Sequence, residues 1–177
     1  LSLHDALPIY IVAVVMACNG YEIKDLGVMV ESQRIVDEAV AWGADCICLS
    51  GLITPSLDEM AHVCEELERR ALRIPVIIGG ATTSDLHTAV KIAPVYAGVV
   101  VHSPNASRNS QILAQLLGSD GALYADKVRT GQQAMRSEYE HAERTRNLIP
   151  IVEARKARKG ATLHRPVVPA HPGQIGR

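Results

Sequence analysis

From Tyr21 onward the chain alternates short apolar runs with amphipathic helical patterns, and this alternation narrows the fold more than any other feature. Four runs read as strands: Tyr21–Leu26, closed by Gly27; Cys46–Ser50; Pro75–Ile78, ending in Gly79-Gly80; and Gly98–Val101. Four helical patterns accompany them. Ser32–Trp42 places Ile35, Val36, Ala39 and Val40 on one face and stops at Gly43. Thr54-Pro55 opens the next, with Thr54 as cap, Pro55 at the first helical position and Leu57, Met60, Val63, Cys64 and Leu67 facing inward. Thr83, Ser84 or Asp85 caps a third, with Leu86, Ala89 and Val90 inward, and Ser107–Leu117 carries Ile112, Leu113, Leu116 and Leu117 on one stripe. Cys46–Ser50 is apolar enough to be expected buried on both faces. Repeated β-α units of this length specify an open, doubly wound parallel sheet.

Ligands of such sheets sit at the carboxyl ends of the strands. That singles out Ser50–Ser56, Gly79–Ser84 and His102–Ser107. The first holds three hydroxyls (Ser50, Thr54, Ser56) and Gly51, which admits a ligand close to backbone. The second follows two glycines with Ala81, Thr82, Thr83 and Ser84. The third offers Asn105 and Ala106 at a helix start. Each alone is also what ordinary capping and turning would produce; together they describe a broad, hydroxyl-lined ledge. No GxGxxG or Walker pattern accompanies them, which counts against a nucleotide fold.

Composition adds exclusions. With no Phe and 3% aromatic residues, the core must be built from Val, Ile, Leu, Ala and Met. A net charge of -1 gives no pull toward nucleic acid or an anionic membrane. The longest apolar run, Leu7–Cys18, is too short to span a bilayer and lacks the basic flank of a secretory signal. Its β-branched stretch Ile9–Cys18 looks by pattern like a buried strand. Cys18, Cys46, Cys48 and Cys64 sit in apolar segments without a second pair at zinc spacing, so buried reduced thiols and a cytoplasmic location are expected. Tyr124–Asn147 is a long polar helix pattern; beyond Ile149, Arg155, Lys156, Arg158 and Lys159 lead to Pro166, Pro169 and Pro172, a linker or disordered tail.

Three blocks carry a family resemblance: Asp25–Val30, Leu49–Met60, and Ile78–Ser84 followed by His87–Ile92. They closely resemble the cobalamin domain of B12-dependent methionine synthases, and the resemblance runs from about Ile11 to Asn147. It implies a flavodoxin-like (Rossmann-like) α/β fold with cobalamin, in its methylcobalamin form, as cofactor. The nucleotide tail, displaced from cobalt, would thread between sheet and helices. Ser50 and Thr54 would line the tail pocket, Gly79 and Gly80 would let the tail pass near backbone, and Ala106 would touch the corrin; Gly51, Leu52, Ala81 and Asn105 belong to the same implied contact set. Ser56 matches the serine ending a relay from the cobalt-ligating His. The intact enzyme moves a methyl group from methyltetrahydrofolate to homocysteine. The partners implied are therefore the folate, homocysteine and reactivation modules, and no residue of this segment is catalytic by itself. A free-standing corrinoid carrier for a separate methyltransferase, or a flavodoxin-like module without cobalamin, are the rival readings.

The resemblance departs at the front. The family's Asp-x-His-x-x-Gly motif would place Asp, the cobalt-ligand His and Gly on Leu3, Asp5 and Pro8, and His4 stands one residue out of place, so no metal ligand is expected from this chain. Residues 1–9 are expected to be a non-native leader, since one encoding of Ala6–Ile9 matches the end of a common sequencing adapter. Residues 10–122 would be an incomplete cobalamin domain lacking its first strand, 123–148 a connector helix and 149–177 the tail. In a flavodoxin-like strand order the missing strand is central, and each ladder hydrogen bond it would have made is a net term of about 1 kcal/mol. The resemblance also places the family's first helix, not a strand, over Ile9–Cys18.

Overall fold

In the computed structural model, which describes residues 3–146 and 151–158, the run that pattern and resemblance read differently is helix: α1 spans Leu3–Cys18 without a break at Ile9. Tertiary context has overridden β-branched propensity. α1 packs against α5 (Ala106–Leu117) and buries Met16, while Ile11 and Val14 remain exposed.

Three strands make the sheet: β1 (Ile47–Ser50), β2 (Val76–Gly79) and β3 (Val100–His102), in that spatial order and all parallel. The register pairs Cys48 with Ile77, Ser50 with Gly79, and Ile77 with Val101. Alternate residues of a strand face opposite sides, and the two cores sort accordingly. Ile47, Val76, Ile78 and Val100 join Val36 and Ala39 of α2 (Ser32–Trp42) and Met60, Val63, Cys64 and Leu67 of α3 (Pro55–Arg69). Ile77, Val99 and Val101 join Met16, Ile112, Leu113, Leu116 and Ala125 on the other face. Helices on both faces of an open parallel sheet are the doubly wound architecture that the alternation requires.

Several local expectations change. Tyr21–Leu26 is not a strand. A strand needs a ladder partner, and this segment is tied instead to α2 by the Lys24–Glu38 ion pair at 2.7 Å and turned by Asp25 Oδ1, which accepts from Gly27 N–H at 2.8 Å. β1 is buried on one face only: Ile47 is buried, but Cys48 and Ser50 are exposed, because no described helix covers them. Of the four free cysteines only Cys64 is buried; Cys18 and Cys48 are exposed and Cys46 is half-buried. Thr54 is itself helical in backbone and its side chain caps nothing; α3 grows from a turn in which Ser56 N–H donates to Ile53 O. Ser84 does cap, accepting from His87 N–H at 3.1 Å. The helix it starts, α4 (Asp85–His87), passes into a π-helical turn over Thr88–Ile92. The wider turn shifts the buried face to Thr88, Ala89 and Ile92, leaving Leu86 exposed. Val40 and Leu117, at the margins of their stripes, are exposed as well.

The outer side of β3 is covered by α6 (Gly121–Thr145). The buried Gln132 donates from Nε2 to Val100 O at 2.7 Å, and Arg129 Nη2 donates to Ala97 O at 3.1 Å. Side-chain donors here satisfy backbone carbonyls that an unpaired edge would leave open. The chain divides into two units, Leu1–Ala142 and Glu143–Arg177. Within the second, Ile151–Arg158, part of the expected linker, forms the short helix α7 with Ile151 and Val152 exposed; the rest of that tail lies outside the described residues. No helix among the described residues is long and apolar enough to cross a membrane.

Two helix ends use the same hydrogen-bond pattern with different residues. After α2, Gly43 at φ 69° donates to Val40 O and Ala44 N–H donates to Ala39 O. After α3, Ala71 at φ 55° donates to Glu68 O and Leu72 N–H donates to Leu67 O. The left-handed turn suits Gly and costs a residue with a Cβ about 1 kcal/mol. Ala71→Gly should therefore raise stability by about 0.5–1 kcal/mol in denaturant melts.

Glu66, nearly buried on α3, accepts from Arg69 Nη2 and Arg70 Nε, each at 2.6 Å, and Arg70 reaches on to Asp37 of α2 at 2.5 Å. The Arg69 hydrogen bond, with Arg70 beside it, holds the Glu66 carboxyl down to about 2, from an ordinary 4.5. A depressed carboxylate stabilises fully above its unfolded pKa and loses that contribution as pH falls through the folded one. The wild-type chain should thus lose stability between pH 4.5 and 2 more steeply than Glu66→Gln, measured by melts across that window.

Candidate functional site

At the carboxyl edge of the sheet the loops after β1 and β2 meet backbone to backbone. Gly51 N–H donates to Gly79 O at 3.0 Å, one step beyond the last strand pair. Gly80 follows at φ 109°, a conformation that disfavours side chains, and a Cβ there would stand 2.2 Å from Gly51 O. Gly51 is buried and confined in turn: a Cβ on it would lie 2.8 Å from Met60 Cε and 3.0 Å from Ser56 Cβ. Thr82 closes the contact, its hydroxyl donating to Gly51 O at 3.1 Å. The carboxyl edge is therefore fixed by two glycines and one hydroxyl, and neither glycine tolerates substitution without movement of its neighbours.

Gly79 differs. A Cβ there would meet Ser103 O at 3.6 Å and Leu49 O at 4.0 Å, ordinary contact distances. The protein's own packing does not demand glycine at this position. Ser50 is its register partner, so both lie on the sheet face of Cys48, Ile77 and Val101. On that face Ile77 and Val101 are buried, whereas Cys48 and Ser50 are exposed. The result is an exposed strip of small residues, Cys48 and Ser50, along β1, ending beside Gly79 at the sheet's carboxyl end.

The structure thus brings together Ser50, Gly51, Ser56, Gly79 and Gly80. Leu52 and Thr54 sit exposed on the turn into α3, and Ala81 sits exposed on the loop after Gly80. Leu52, with Ile53, adds an exposed apolar rim. Asn105 is occupied as the cap of α5, its Oδ1 accepting from Arg108 N–H at 3.2 Å, and Ala106 is the first residue of that helix. The third strand end approaches through Ser103, which is buried, donates from its backbone to Ile78 O at 2.7 Å and from Oγ to Asn105 O at 3.0 Å.

Sequence reasoning passed over Thr82, His102 and Ser103 as individuals. His102 ends β3 with both ring nitrogens engaged, Nδ1 at 3.1 Å from Asp85 Oδ1 and Nε2 at 3.1 Å from Thr83 Oγ1. Thr83 Oγ1 is also 2.8 Å from Gly80 O. The only advance signal was a histidine at a strand tip, which names no partner. Asp5 and His4 lie on α1 in the stretch whose side chains are outside the described residues. Among the described residues no cluster of three or more His, Cys, Asp or Glu is placed to hold a metal ion.

The family model of the B12 binding domain matches residues 2–108, more than half of the chain and all of the segments that form this edge. The parallel open sheet, the glycine contact at its carboxyl edge and that match converge on one assignment: the chain belongs to the B12-binding domain family, whose ligand is a cobalamin-type cofactor.

Proposed function

We propose that this chain is the cobalamin-binding portion of a cytoplasmic methionine synthase, holding methylcobalamin as methyl carrier between methyltetrahydrofolate and homocysteine, which the enzyme's other modules bind. The finer assignment is supported by the residue blocks Leu49–Met60 and Ile78–Ser84, which supply the two loops whose glycines touch. The single observation that carries corrinoid binding is the room for a Cβ at Gly79, a glycine that the chain's own packing does not require, beside the exposed Ser50 at the carboxyl end of the sheet.

A corrinoid's nucleotide arm is long, largely flat and rich in hydrogen-bonding groups. It needs a channel with polar walls and no bulk. Ser50 presents an exposed hydroxyl at the mouth, and Gly79 beside it adds none of the volume that would narrow the channel. Gly51, Gly80 and Thr82 keep the two loops from moving apart. Exposed Leu52 and Ile53 offer apolar surface at the rim. When bound, the cofactor supplies the cobalt that carries the methyl group; the chain's part is to bind, orient and shield it. No protein imidazole is expected on cobalt, so the absorbance of bound methylcobalamin should lack that signature.

The two adjacent glycines separate ligand space from structural need. Gly79→Ala should fold like the wild type and bind cyanocobalamin at least tenfold more weakly, a loss of about 1.4 kcal/mol, in equilibrium dialysis. Gly80→Ala should lower the melting midpoint itself, since its methyl would collide with Gly51 O. Equal cyanocobalamin affinity in the wild type and Gly79→Ala would mean that the ligand does not pass over Gly79. Loaded with methylcobalamin, the chain should deliver its methyl group to homocysteine when the homocysteine module of a methionine synthase is supplied, and not without it. Delivery only through some other methyltransferase would favour a free-standing corrinoid carrier.

A further inference from the structure

His102 stands at the end of β3 against the segment that follows β2, with its side chain only 8% exposed. Its partners impose a hydrogen-bond constraint. The Thr83 hydroxyl has one proton and faces two acceptor positions, Gly80 O at 2.8 Å and His102 Nε2 at 3.1 Å. On the far side of the ring, an ionised Asp85 carboxylate at 3.1 Å only accepts, so Nδ1 must carry a proton. In the neutral ring Nε2 is then bare and accepts, the Thr83 proton turns toward it, and Gly80 O keeps only the Thr83 backbone N–H at 3.2 Å, with its second lone pair open. In the imidazolium Nε2–H donates to Thr83, whose own proton turns to Gly80 O. One hydroxyl rotation therefore links the charge state of His102 to the hydrogen-bonding capacity of a backbone carbonyl on the exposed residue Gly80.

We propose that His102 is a positioning residue of the corrinoid site: through Thr83 it sets whether the Gly80 carbonyl is free to accept from an amide N–H of the ligand. The proposal rests on the corrinoid reading given above, because a corrin ring carries amide side chains that can donate to such a carbonyl. The polar cavity beside the ring, about 450 Å³, is also lined by Asp85 of α4, Arg108 of α5, and Tyr124 and Lys127 of α6. Burial pushes the Tyr124 phenol up, away from neutrality. Of the groups around the cavity, only an imidazole belongs to a class that ordinarily changes charge between about pH 5 and 8. His102 is the imidazole among the residues that line that cavity, and His87, on α4 with its Nε2 buried, is the other imidazole close in sequence to Asp85.

Two measurements on the full chain test the role. In the ligand-free protein, nitrogen NMR of the imidazole should show His102 above neutrality with the proton on Nδ1, and Asp85→Asn should weaken that preference. Cyanocobalamin affinity should rise several-fold from pH 6 to pH 8 in the wild type. Thr83→Val removes the hydroxyl, leaves Gly80 O with the backbone N–H of residue 83 alone at every pH and should flatten the profile, while Thr83→Ser should restore it. A Thr83→Val chain with the wild-type pH profile, or a neutral ring protonated on Nε2 in a chain that binds cyanocobalamin, would overturn this role alone. No binding at any pH, with the Nδ1 proton in place, would overturn the role together with the corrinoid reading beneath it.

Discussion

The contact between Gly51 and Gly80 governs the carboxyl edge of this protein. The Gly51 backbone lies where a Cβ on residue 80 would stand, and beside that contact the Gly51 N–H to Gly79 O bond extends the β1–β2 ladder one hydrogen bond past the end of the strands. It holds the exposed Ser50 beside Gly79 and folds Thr82 back across the joint. From there the order passes outward, through Thr83 to His102 and through Ser103 to the start of α5. The hydroxyls of Thr82, Thr83 and Ser103 at this edge are therefore committed to holding loops, and the exposed surface is the strip of Cys48 and Ser50 beside Gly79.

That strip is exposed because the two faces of the sheet are covered unequally. α2 and α3 close one face over β1, whereas α1, α5 and α6 gather over β2 and β3 on the other. Cys48 and Ser50 are left in the open. The opposite edge is finished differently, by Gln132 and Arg129 reaching from α6 to backbone carbonyls next to β3. A polar helix read from sequence as a connector is thus also an edge cover, a role its charge pattern did not announce.

Much of the fold was legible because it is written in local periodicity. α2 begins and ends where its pattern and Gly43 place it, and Met60, Val63, Cys64 and Leu67 fill the core as the 3.6-residue spacing directs. Parallel pairing followed from the βα alternation alone. What failed depended on distant partners. Tyr21–Leu26 has strand-like residues but no ladder in which to use them. Cys48 looked buried because its run is apolar, yet burial is conferred by what lies opposite, and there nothing described does. Leu86 was misplaced by a π-helical turn, which no simple period anticipates. Candidate residues divide the same way: Ser50, Gly51, Gly79 and Gly80 stand out in the sequence by their positions at strand ends, but the contact of Thr83, Asp85 and His102 joins residues 17 and 19 apart and emerges only when the segment after β2 meets the end of β3.

The proposed arrangement is one cobalamin held jointly by the loops at the tips of all three strands. Hydrogen exchange of the full chain with and without cyanocobalamin tests it most directly. Slowed exchange should appear together in residues 50–56, 79–84 and 102–107, with the helices of the opposite face unchanged. Saturating cofactor that leaves those three segments exchanging at their ligand-free rates, or that protects only a distant helix, would contradict it.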